Sequence, residues 1–335
     1  MARQIQEVGR AAYMRRFFSR HMKEFWPGAK KITFFYSKYM RFLSEESYTM
    51  KYEIDLLMNN GQVKRKSIRG NRVQKPTYEL MKAYYPYFQK NGQHVIARPL
   101  YYMDNLGFIL YEEYEGWVLR EFDHQLPILQ KAVPAIARRL AEIHNRQLRI
   151  SPLRTWRDEE AYFNLSEKKV AKYMPFVRRK FSSLKNQYLR GLKKIYSERE
   201  AISIHGDFQA SNIIYDLRTG DIGIIDFSST SQFSPANDVA TFMTHLRAME
   251  CFIYPDHEIT RMEKTFLARY LRHANQPIML LVKNQLPLYQ ARISLDIITT
   301  TAVFTEYNKS PHYWKIINTM FDRAASNLKK LANQT

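Results

Sequence analysis

Apolar and polar residues along the first third of the chain follow a pattern that predicts β-strands. Three strand-like runs, ITFFYSKYMRFL, YTMKYEIDLLM and QVKRKSIRG, lie within residues 32–70, and the turn signal Asn59-Asn60-Gly61 separates the last two. After Pro76 the segment TYELMKAYYPYF has helical spacing, and two further runs follow at HVIARPLYYM and GFILYEEY. The pattern predicts a small lobe over residues 31–115, built of three strands, a helix and two strands.

The rest of the chain is predicted to be mostly helical. Leu126 to Arg146 has amphipathic helical spacing, and a basic helical stretch runs from about Leu165 to Glu198. Only Ile202 to Asp226 changes to short β-branched runs between turn residues. We therefore expect an α+β fold with a basic N-terminal helical extension over residues 1–30, the small sheet lobe, and a larger helical lobe over residues 116–335.

Charge and composition narrow the class of protein. The 335 residues include 52 Lys and Arg against 32 Asp and Glu, a formal net charge of +20. This charge favours anionic ligands or surfaces. The single cysteine, Cys251, excludes an internal disulfide, and no Cys/His cluster indicates zinc. Charges interrupt the N-terminus and every apolar stretch of membrane-spanning length. These features predict a soluble, cytoplasmic protein.

The candidate chemistry lies in one short segment, SIHGDFQASNIIYD over residues 203–216 followed after a turn by IGIIDF over residues 222–227. If it folds as a hairpin, Asn212 at the start of one strand lies beside Asp226 at the end of the other. Amide and carboxylate oxygens suit Mg²⁺, which keeps the rest of its shell for water and phosphates. Asp207, on the loop before Asn212, could then accept the proton of an attacking hydroxyl in phosphoryl transfer.

The order H-G-D, four residues, N and then I-D-F resembles the catalytic and metal-binding segments of the aminoglycoside phosphotransferase and choline kinase family. These relatives of the protein kinases share the H-R-D…N and D-F-G logic. The later SPANDVA over residues 234–240 is similar to the family's D-P-x-x-D-L-A segment, with Ser234 where Asp is usual. The resemblance implies a two-lobed, protein-kinase-like fold and an ATP-dependent phosphotransferase.

The resemblance also implies roles for residues of the segment. Asp207 would be the catalytic base, Asn212 and Asp226 the Mg²⁺ ligands, and Asp238 a structural brace at a helix start. His205 would hold the loop by hydrogen bonds rather than act as the base. The competing interpretation is that Asp207 and Asp226 are ordinary turn and strand-end residues.

In the small lobe the resemblance implies nucleotide-binding residues. Lys66 on QVKRKSIRG would hold the α- and β-phosphates of ATP, and Glu79 in the following helix would pair with it. Lys64 lies on the same strand face and is the alternative. The segment LYEEYEG, which contains Glu113 and Tyr114, resembles the hinge whose backbone groups read adenine.

Two features argue against a protein kinase. The chain has no G-x-G-x-x-G, and the corresponding turn reads Ser44-Glu45-Glu46-Ser47-Tyr48. No A-P-E segment follows Asp226. A small-molecule kinase is therefore favoured, and a protein kinase or a catalytically silent kinase-like protein that binds nucleic acid or anionic membrane are the alternatives.

Basic residues bear on the acceptor. Nearly sixty residues separate His144 from the catalytic loop, and in the resembling family this region helps to shape the acceptor site. Here it carries ten basic residues with few acids nearby: Lys168, Lys169, Lys172, Arg178, Arg179, Lys180, Lys185, Arg190, Lys193 and Lys194. The acceptor would be a hydroxyl of a small molecule, such as a sugar, amino alcohol, phosphorylated metabolite or glycan. Cationic aminoglycosides would be repelled, so among these classes we expect a neutral or anionic compound. A solvated helix face explains the same charges.

Overall fold

The structure, a computed structural model, describes residues 7–44, 47–90, 95–250, 253–305 and 311–332. Glu45 and Glu46 of the predicted turn, and Cys251, lie outside the described residues. The chain divides into two compact units, the first formed by Met1–Glu115 with Gly223–Ser228 and the second by Gly116–Ile222 with Ser229–Thr335.

The first unit contains a five-stranded antiparallel sheet with the order β1-β2-β3-β5-β4. Its strands are β1 (Ala29–Ser44), β2 (Ser47–Met58), β3 (Val63–Arg72), β4 (Pro99–Met103) and β5 (Phe108–Glu112). A helix, α2 (Lys75–Lys90), lies between β3 and β4 in the chain. The predicted series of three strands, a helix and two strands is confirmed, although β4 begins later than the run HVIARPLYYM suggests. Ile96 within that run instead forms an isolated parallel bridge with Ile224.

Helix α1 (Ala11–Phe25) belongs to the core of this unit. Its buried residues Met14, Phe18 and Met22 recur every four positions, which places them on one helix face. They pack with the alternate buried residues of β2, including Tyr52, because successive strand side chains point to opposite faces. The Tyr52 hydroxyl donates to the Val8 carbonyl at 2.9 Å. Residues 11–25 of the basic N-terminal segment are therefore helical and cover one face of the sheet, as part of the first unit and not as an extension outside it.

The second unit is mostly helical. Its helices are α3 (Leu126–Asn145), α4 (Trp156–Tyr173), α5 (Arg178–Ile195), α6 (Ala236–Glu250), α7 (Asp256–His273), α8 (Gln276–Thr305) and α9 (Pro311–Ala332). Short strands interrupt them: β6 (Trp117–Val118), β7 (Ile202–Ile204), β8 (Ile213–Tyr215) and β10 (Ser231–Phe233). A further strand, β9 (Ile222–Ile224), begins in the second unit at Ile222 and continues into the segment that belongs to the first unit. β7 pairs with β10, and the sheet order of the others is β6-β8-β9.

The basic stretch predicted as one helix from Leu165 to Glu198 forms parts of two helices, α4 and α5. α4 begins at a capping box, because the Thr155 side chain accepts from the Asp158 amide while the Asp158 carboxylate accepts from the Thr155 amide. The helix ends at Tyr173, and the next residue, Met174, precedes Pro175 and has φ −142°. A proline disfavours helical geometry in the residue before it and supplies no amide hydrogen, so the break follows from the sequence.

No helix within the described residues is both long enough and apolar enough to span a bilayer.

Candidate active site

The segment between β7 and β8 holds the Asp207 carboxylate in a fixed position. Its Oδ1 accepts a hydrogen bond from Gln209 Nε2 at 2.8 Å, and its Oδ2 accepts one from Asn212 Nδ2 at 2.9 Å. Asn212 Nδ2 also donates to the Asp207 carbonyl at 2.9 Å. Asp207 is half-buried and Asn212 is buried. The structure thus brings together two of the predicted site residues, and it leaves the Asn212 amide oxygen as the side-chain atom that can bind a cation.

Asp238, at the start of α6, fixes the loop between β7 and β8 through hydrogen bonds to its backbone. Its carboxylate is fully buried and accepts from the His205 amide at 2.7 Å and the Gly206 amide at 2.9 Å. His144 Nε2 lies 3.1 Å from the same carboxylate, and His144 Nδ1 lies 2.7 Å from the Tyr270 hydroxyl. Burial alone would raise the pKa of Asp238, but His144, His205 and the Gly206 amide together lower it. The geometry fits the predicted role of a brace.

His205 is buried, and its ring binds the backbone of its own loop. Its Nδ1 accepts a hydrogen bond from the Asp207 amide at 3.3 Å. This position agrees with the predicted scaffold role.

Gly206 is required by its backbone conformation and its surroundings. Its φ is +85°, a region that side chains rarely adopt, and an added Cβ would lie 2.1 Å from the Ser229 carbonyl oxygen. The glycine of the H-G-D motif therefore lets the catalytic loop pass against the segment that leads into β10.

Ser234 replaces the aspartate usual in the resembling family, and the structure shows what it does. Its hydroxyl accepts from the Ala236 amide at 3.2 Å, at the first residue of α6, and donates to Gln285 Oε1 at 2.6 Å. Serine satisfies an otherwise unpaired amide at a helix start as aspartate does. The departure therefore preserves the capping contact.

A cavity beside the loop contains residues that motif analysis missed. Gln209, Ser211, Arg120 and His245 line it, and Asp207 is close enough to influence the His245 ring electrostatically. Burial lowers the pKa of His245, while the charges of Asp207 and Asp296 oppose that change and Arg120 adds to it. The sequence did contain one signal for His245. It follows Asp238 by seven residues in a helix and therefore lies on the same face of α6 as Asp238.

Asp226 follows β9 and belongs to the first unit. It is exposed, its φ is +60°, and its Oδ1 accepts from the Ser228 amide at 3.3 Å. Aspartate tolerates this left-handed conformation better than most residues. The predicted position of Asp226 beside Asn212 stays a prediction.

Strand β3 presents different residues on its two faces, and Lys66 lies on the face shared with the apolar core. Its cross-strand partner is the fully buried Ile54. The Lys66 amine lies 3.4 Å from Glu112, which also accepts from Trp26 Nε1 at 3.0 Å. Glu79 instead lies 3.7 Å from Lys82. Within the described residues, the expected Lys66–Glu79 pair is therefore not formed.

The opposite face of β3 carries Ser67 and Arg69. Arg69 lies across from Lys51 of β2 and from Tyr111 of β5, and cross-strand partners share a face. Burial chiefly, and then the charge of Asp226, raises the pKa of Tyr111, while Arg69 opposes this change. Arg69 therefore shares a sheet face with Tyr111, whose pKa both Arg69 and Asp226 influence, and Lys66 lies on the opposite face.

Glu113, a predicted hinge residue, is bound to the same polar face. Its carboxylate accepts from Arg69 Nε at 2.6 Å and from the Ser67 hydroxyl, and Lys51 Nζ lies at 3.0 Å. Burial would raise the pKa of Glu113, but these donors lower it. Its amide donates to the Ser67 carbonyl at 2.8 Å. The role of Glu113 in reading adenine stays a prediction.

Tyr114, the other predicted hinge residue, packs against the backbone of Gly223. A Cβ at Gly223 would lie 2.5 Å from the Tyr114 ring, so only glycine permits this contact. The predicted role of Tyr114 at the hinge is likewise untested by these contacts.

The basic residues of α4 and α5 are only partly available to a ligand. Lys185 is buried and pairs with Glu167 at 2.6 Å, and Lys193 lies 3.3 Å from Glu160. Arg178 and Lys180 have carboxylates within 3.8 Å. Lys168 and Lys169 are exposed, with no ion pair recorded within the described residues. The ligand-binding and the solvated-face interpretations of these residues therefore both stay predictions.

The metal-binding potential rests on oxygen donors. Within the described ranges, no cluster of three or more His, Cys, Asp and Glu side chains is arranged to hold a metal. An amide oxygen with a single carboxylate nevertheless fits a cation such as Mg²⁺, which uses few protein ligands beside substrate phosphates.

A sheet unit, a helical unit and a braced H-G-D loop define a kinase-like phosphotransferase. Residues 63–274 match the phosphotransferase enzyme family (APH), which is more than half of the chain. The chain therefore belongs to this family, and it is an ATP-dependent phosphotransferase of the kinase class that acts on hydroxyl groups. Comparison with curated protein sequences gave no match.

Solved structures share the fold at low sequence identity. An amicoumacin kinase, hAmiN, in complex with AMP-PNP, Ca²⁺ and Ami has a TM-score of 0.57 and 14% identity, over 86% of this chain and 87% of that chain. Plasmodium vivax ethanolamine kinase has a TM-score of 0.53 and 13% sequence identity, over 94% of this chain and 87% of that chain. Cryptosporidium parvum choline kinase has a TM-score of 0.53 and 12% sequence identity, over 90% of this chain and 91% of that chain. The predicted two-lobed, protein-kinase-like fold is confirmed.

Proposed function

We propose that this protein transfers the γ-phosphate of ATP to a hydroxyl group of a small neutral or anionic molecule, with Asp207 as the catalytic base. The observation that carries the proposal is the Asp207 carboxylate, held by Gln209 and Asn212 in a loop that Asp238 braces. A carboxylate whose two oxygens are each fixed by one amide keeps its remaining lone pairs for one further donor, the acceptor hydroxyl.

Asp207 acts by orienting the acceptor and taking its proton. The hydroxyl donates to the carboxylate, its oxygen attacks the γ-phosphorus, and the proton moves to Asp207 as the P–O bond to ADP breaks. Phosphoryl transfer depends mainly on positioning and charge stabilisation, so a fixed weak base suffices. Gln209 and Asn212 maintain the direction of the carboxylate, and the Asp238 brace maintains the loop.

Mg²⁺ is the metal that the oxygen donors fit best. The Asn212 amide oxygen and the Asp226 carboxylate would hold it, and it would supply positive charge to offset the negative charge that develops during phosphoryl transfer. Asn212 is suited to this role because its Nδ2 is already engaged by Asp207.

For the nucleotide phosphates, the sheet faces favour Arg69 over the sequence-based choice of Lys66 or Lys64. Arg69 shares its face with Tyr111, whose pKa responds to Asp226, whereas Lys66 pairs with Glu112 beside Trp26. We propose that Arg69 contacts the phosphates after exchanging its present partner, Glu113. Glu113 would remain paired with Lys51.

The proposed acceptor preference rests on positive charge in the second unit. Arg120 lines the cavity beside the loop, and Lys168 and Lys169 are exposed on α4. Two fold relatives are named for choline and ethanolamine, so an amino alcohol is the contrasting acceptor class.

The test is acceptor-dependent ADP release from MgATP by wild type and by Asp207→Asn, across sugars, amino alcohols, nucleosides and phosphorylated metabolites. We expect release with a neutral or anionic acceptor by wild type only. Lys168→Glu/Lys169→Glu should raise the KM for that acceptor, with the KM for ATP unchanged.

The opposite results are equally informative. No release with any acceptor, together with no ATP binding by calorimetry, would support the silent binding protein. Turnover restricted to cationic amino alcohols would contradict the charge preference while keeping the chemistry.

A further inference from the structure

A large cavity lies in the second unit, apart from the H-G-D loop. Its volume is about 610 Å³, within the usual range of small-molecule sites. Helices α6, α7, α8 and α9 each contribute residues to its wall, and none of these residues belongs to the catalytic segment 203–227. No role in the proposed phosphoryl transfer requires a space at this position.

The wall of this cavity is strongly basic. It includes five cationic residues and a single acid, Glu263; the cations are Arg247, Lys264, Lys283, Arg323 and Lys330. The three lysines come from three different helices and are exposed. Within the described residues no carboxylate is recorded in ion-pair distance of them. Converging ammonium groups on separate rigid helices attract a compact anion from several directions.

Two half-buried arginines share the acid of the described wall, Glu263. Arg247 Nη2 and Arg323 Nη2 each lie 2.6 Å from Glu263, on opposite carboxylate oxygens. Among the residues that the structure describes, the buried Arg323 Nε finds no hydrogen-bond partner. Burial chiefly lowers the pKa of Arg323, and the charge of Arg247 adds to this effect although Glu263 opposes it. Asp256, outside the wall, also pairs with Arg247. Five cations therefore have two carboxylates as partners among the described residues, and the wall keeps a net positive charge.

Apolar side chains line another part of the same cavity. They are Met243, Leu267, Leu271, Leu286 and Pro287. Polar groups able to donate or accept hydrogen bonds, such as the buried Asn327, complete the lining. A cavity with an apolar part and a few convergent charged groups is typical of a site for a small organic ligand.

We propose that this cavity binds a small organic phosphate monoester, whose phosphate contacts Lys264, Lys283 and Lys330 and whose apolar group lies against Leu267, Leu271 and Leu286. The three lysines and the surplus positive charge recognise the dianion, and the leucines remove the apolar group from water. This second site is independent of the proposed reaction.

Calorimetric titration with phenyl phosphate tests the proposal, on the full chain saturated with AMP-PNP so that the nucleotide site is filled. We expect saturable binding, weakened at least about tenfold, or 1.4 kcal/mol, in Lys264→Glu/Lys283→Glu. The matched control is Lys30→Glu/Lys31→Glu, which makes the same charge change at exposed positions of the first unit and should bind as wild type does. Inorganic phosphate should bind more weakly than phenyl phosphate because it lacks the apolar group.

Four results would overturn the proposal. They are no saturable binding by wild type, equal binding by the cavity variant, an equal loss in the control variant, and equal affinity for inorganic phosphate. Circular dichroism and thermal unfolding of each variant establish that the binding comparison concerns folded protein. The acceptor assay on the same variants separates this site from the active site, because ADP release should be unaffected by both double substitutions.

Discussion

The catalytic loop of the second unit and strand β3 of the first unit differ in how their side chains are fixed. Asp207 is held mostly by residues of its own segment, Gln209 and Asn212. Lys66 and Arg69 are three positions apart in one strand and therefore lie on opposite faces of the sheet. They bind different acids, Glu112 and Glu113 respectively. A contiguous loop therefore carries its geometry in its sequence, whereas a strand residue acquires its role from the sheet around it.

The largest expected effect is at Asp207. Asp207→Asn should lower kcat about 10³-fold, the typical contribution of a positioned base, with KM for ATP nearly unchanged. Steady-state ADP release at saturating acceptor measures it, and unaltered thermal unfolding shows that the fold is retained. A fall in kcat of less than about tenfold would mean that Asp207 is not the catalytic base and that the loop only positions the acceptor. The fixed geometry of the loop would then carry no catalytic role to compare with that of strand β3.

The brace at Asp238 should have the largest effect on stability. Asp238→Asn offers one acceptor oxygen to two backbone amides and His144, so we expect a loss of about 3 kcal/mol in the free energy of unfolding at pH 7. Because the folded-state pKa of Asp238 is lowered, its stabilisation is present above the ordinary aspartate range and is lost as pH falls through the folded-state value. Urea unfolding should show the wild-type advantage narrowing below about pH 4. An advantage independent of pH in the acid range would contradict this role of the charge.

Strand β3 provides the most direct test between two neighbouring basic residues. Arg69→Met should reduce kcat/KM for ATP by about tenfold to a hundredfold, because it removes a charged hydrogen-bond donor from the phosphates. Lys66→Met should change it by about twofold or less, since that lysine only pairs with Glu112 at a partly exposed position. A larger loss of kcat/KM for ATP in Lys66→Met than in Arg69→Met would identify Lys66 as the phosphate ligand. It would also show that the sheet face of a residue does not determine whether it binds the phosphates.

The smallest expected effect concerns Ser234. Ser234→Ala removes the hydroxyl that accepts from the Ala236 amide, and it should cost about 1 kcal/mol of stability without altering KM for ATP. Ser234→Asp, which retains a capping oxygen, is the matched control and should keep most of the stability in urea unfolding. Equal losses in both variants would indicate that the bond to Gln285, rather than the cap, is what Ser234 contributes.

The sequence predicted local features well because local rules determine them. The strands of the first unit follow from alternation and turn residues, and Gly206 and Asp207 follow from a contiguous motif. The break at Pro175 was also readable from the chain, although the basic stretch around it suggested one helix. Contacts such as His144 with Asp238 join residues 94 positions apart, and no local pattern encodes them. The choice between Lys66 and Arg69 depends on which face α1 covers, which only the packed sheet reveals.

The cover that α1 provides has a practical consequence for shortening the protein. Met14, Phe18 and Met22 shield the apolar face of β2, and Val8 accepts the hydroxyl of the buried Tyr52. Trimming the chain to the first strand would expose Met50, Tyr52, Ile54 and Leu56 together on one surface, which is the kind of patch that drives aggregation. A minimal kinase derived from this sequence must therefore begin ahead of Val8, even though every residue proposed to touch ATP or the acceptor lies far beyond it.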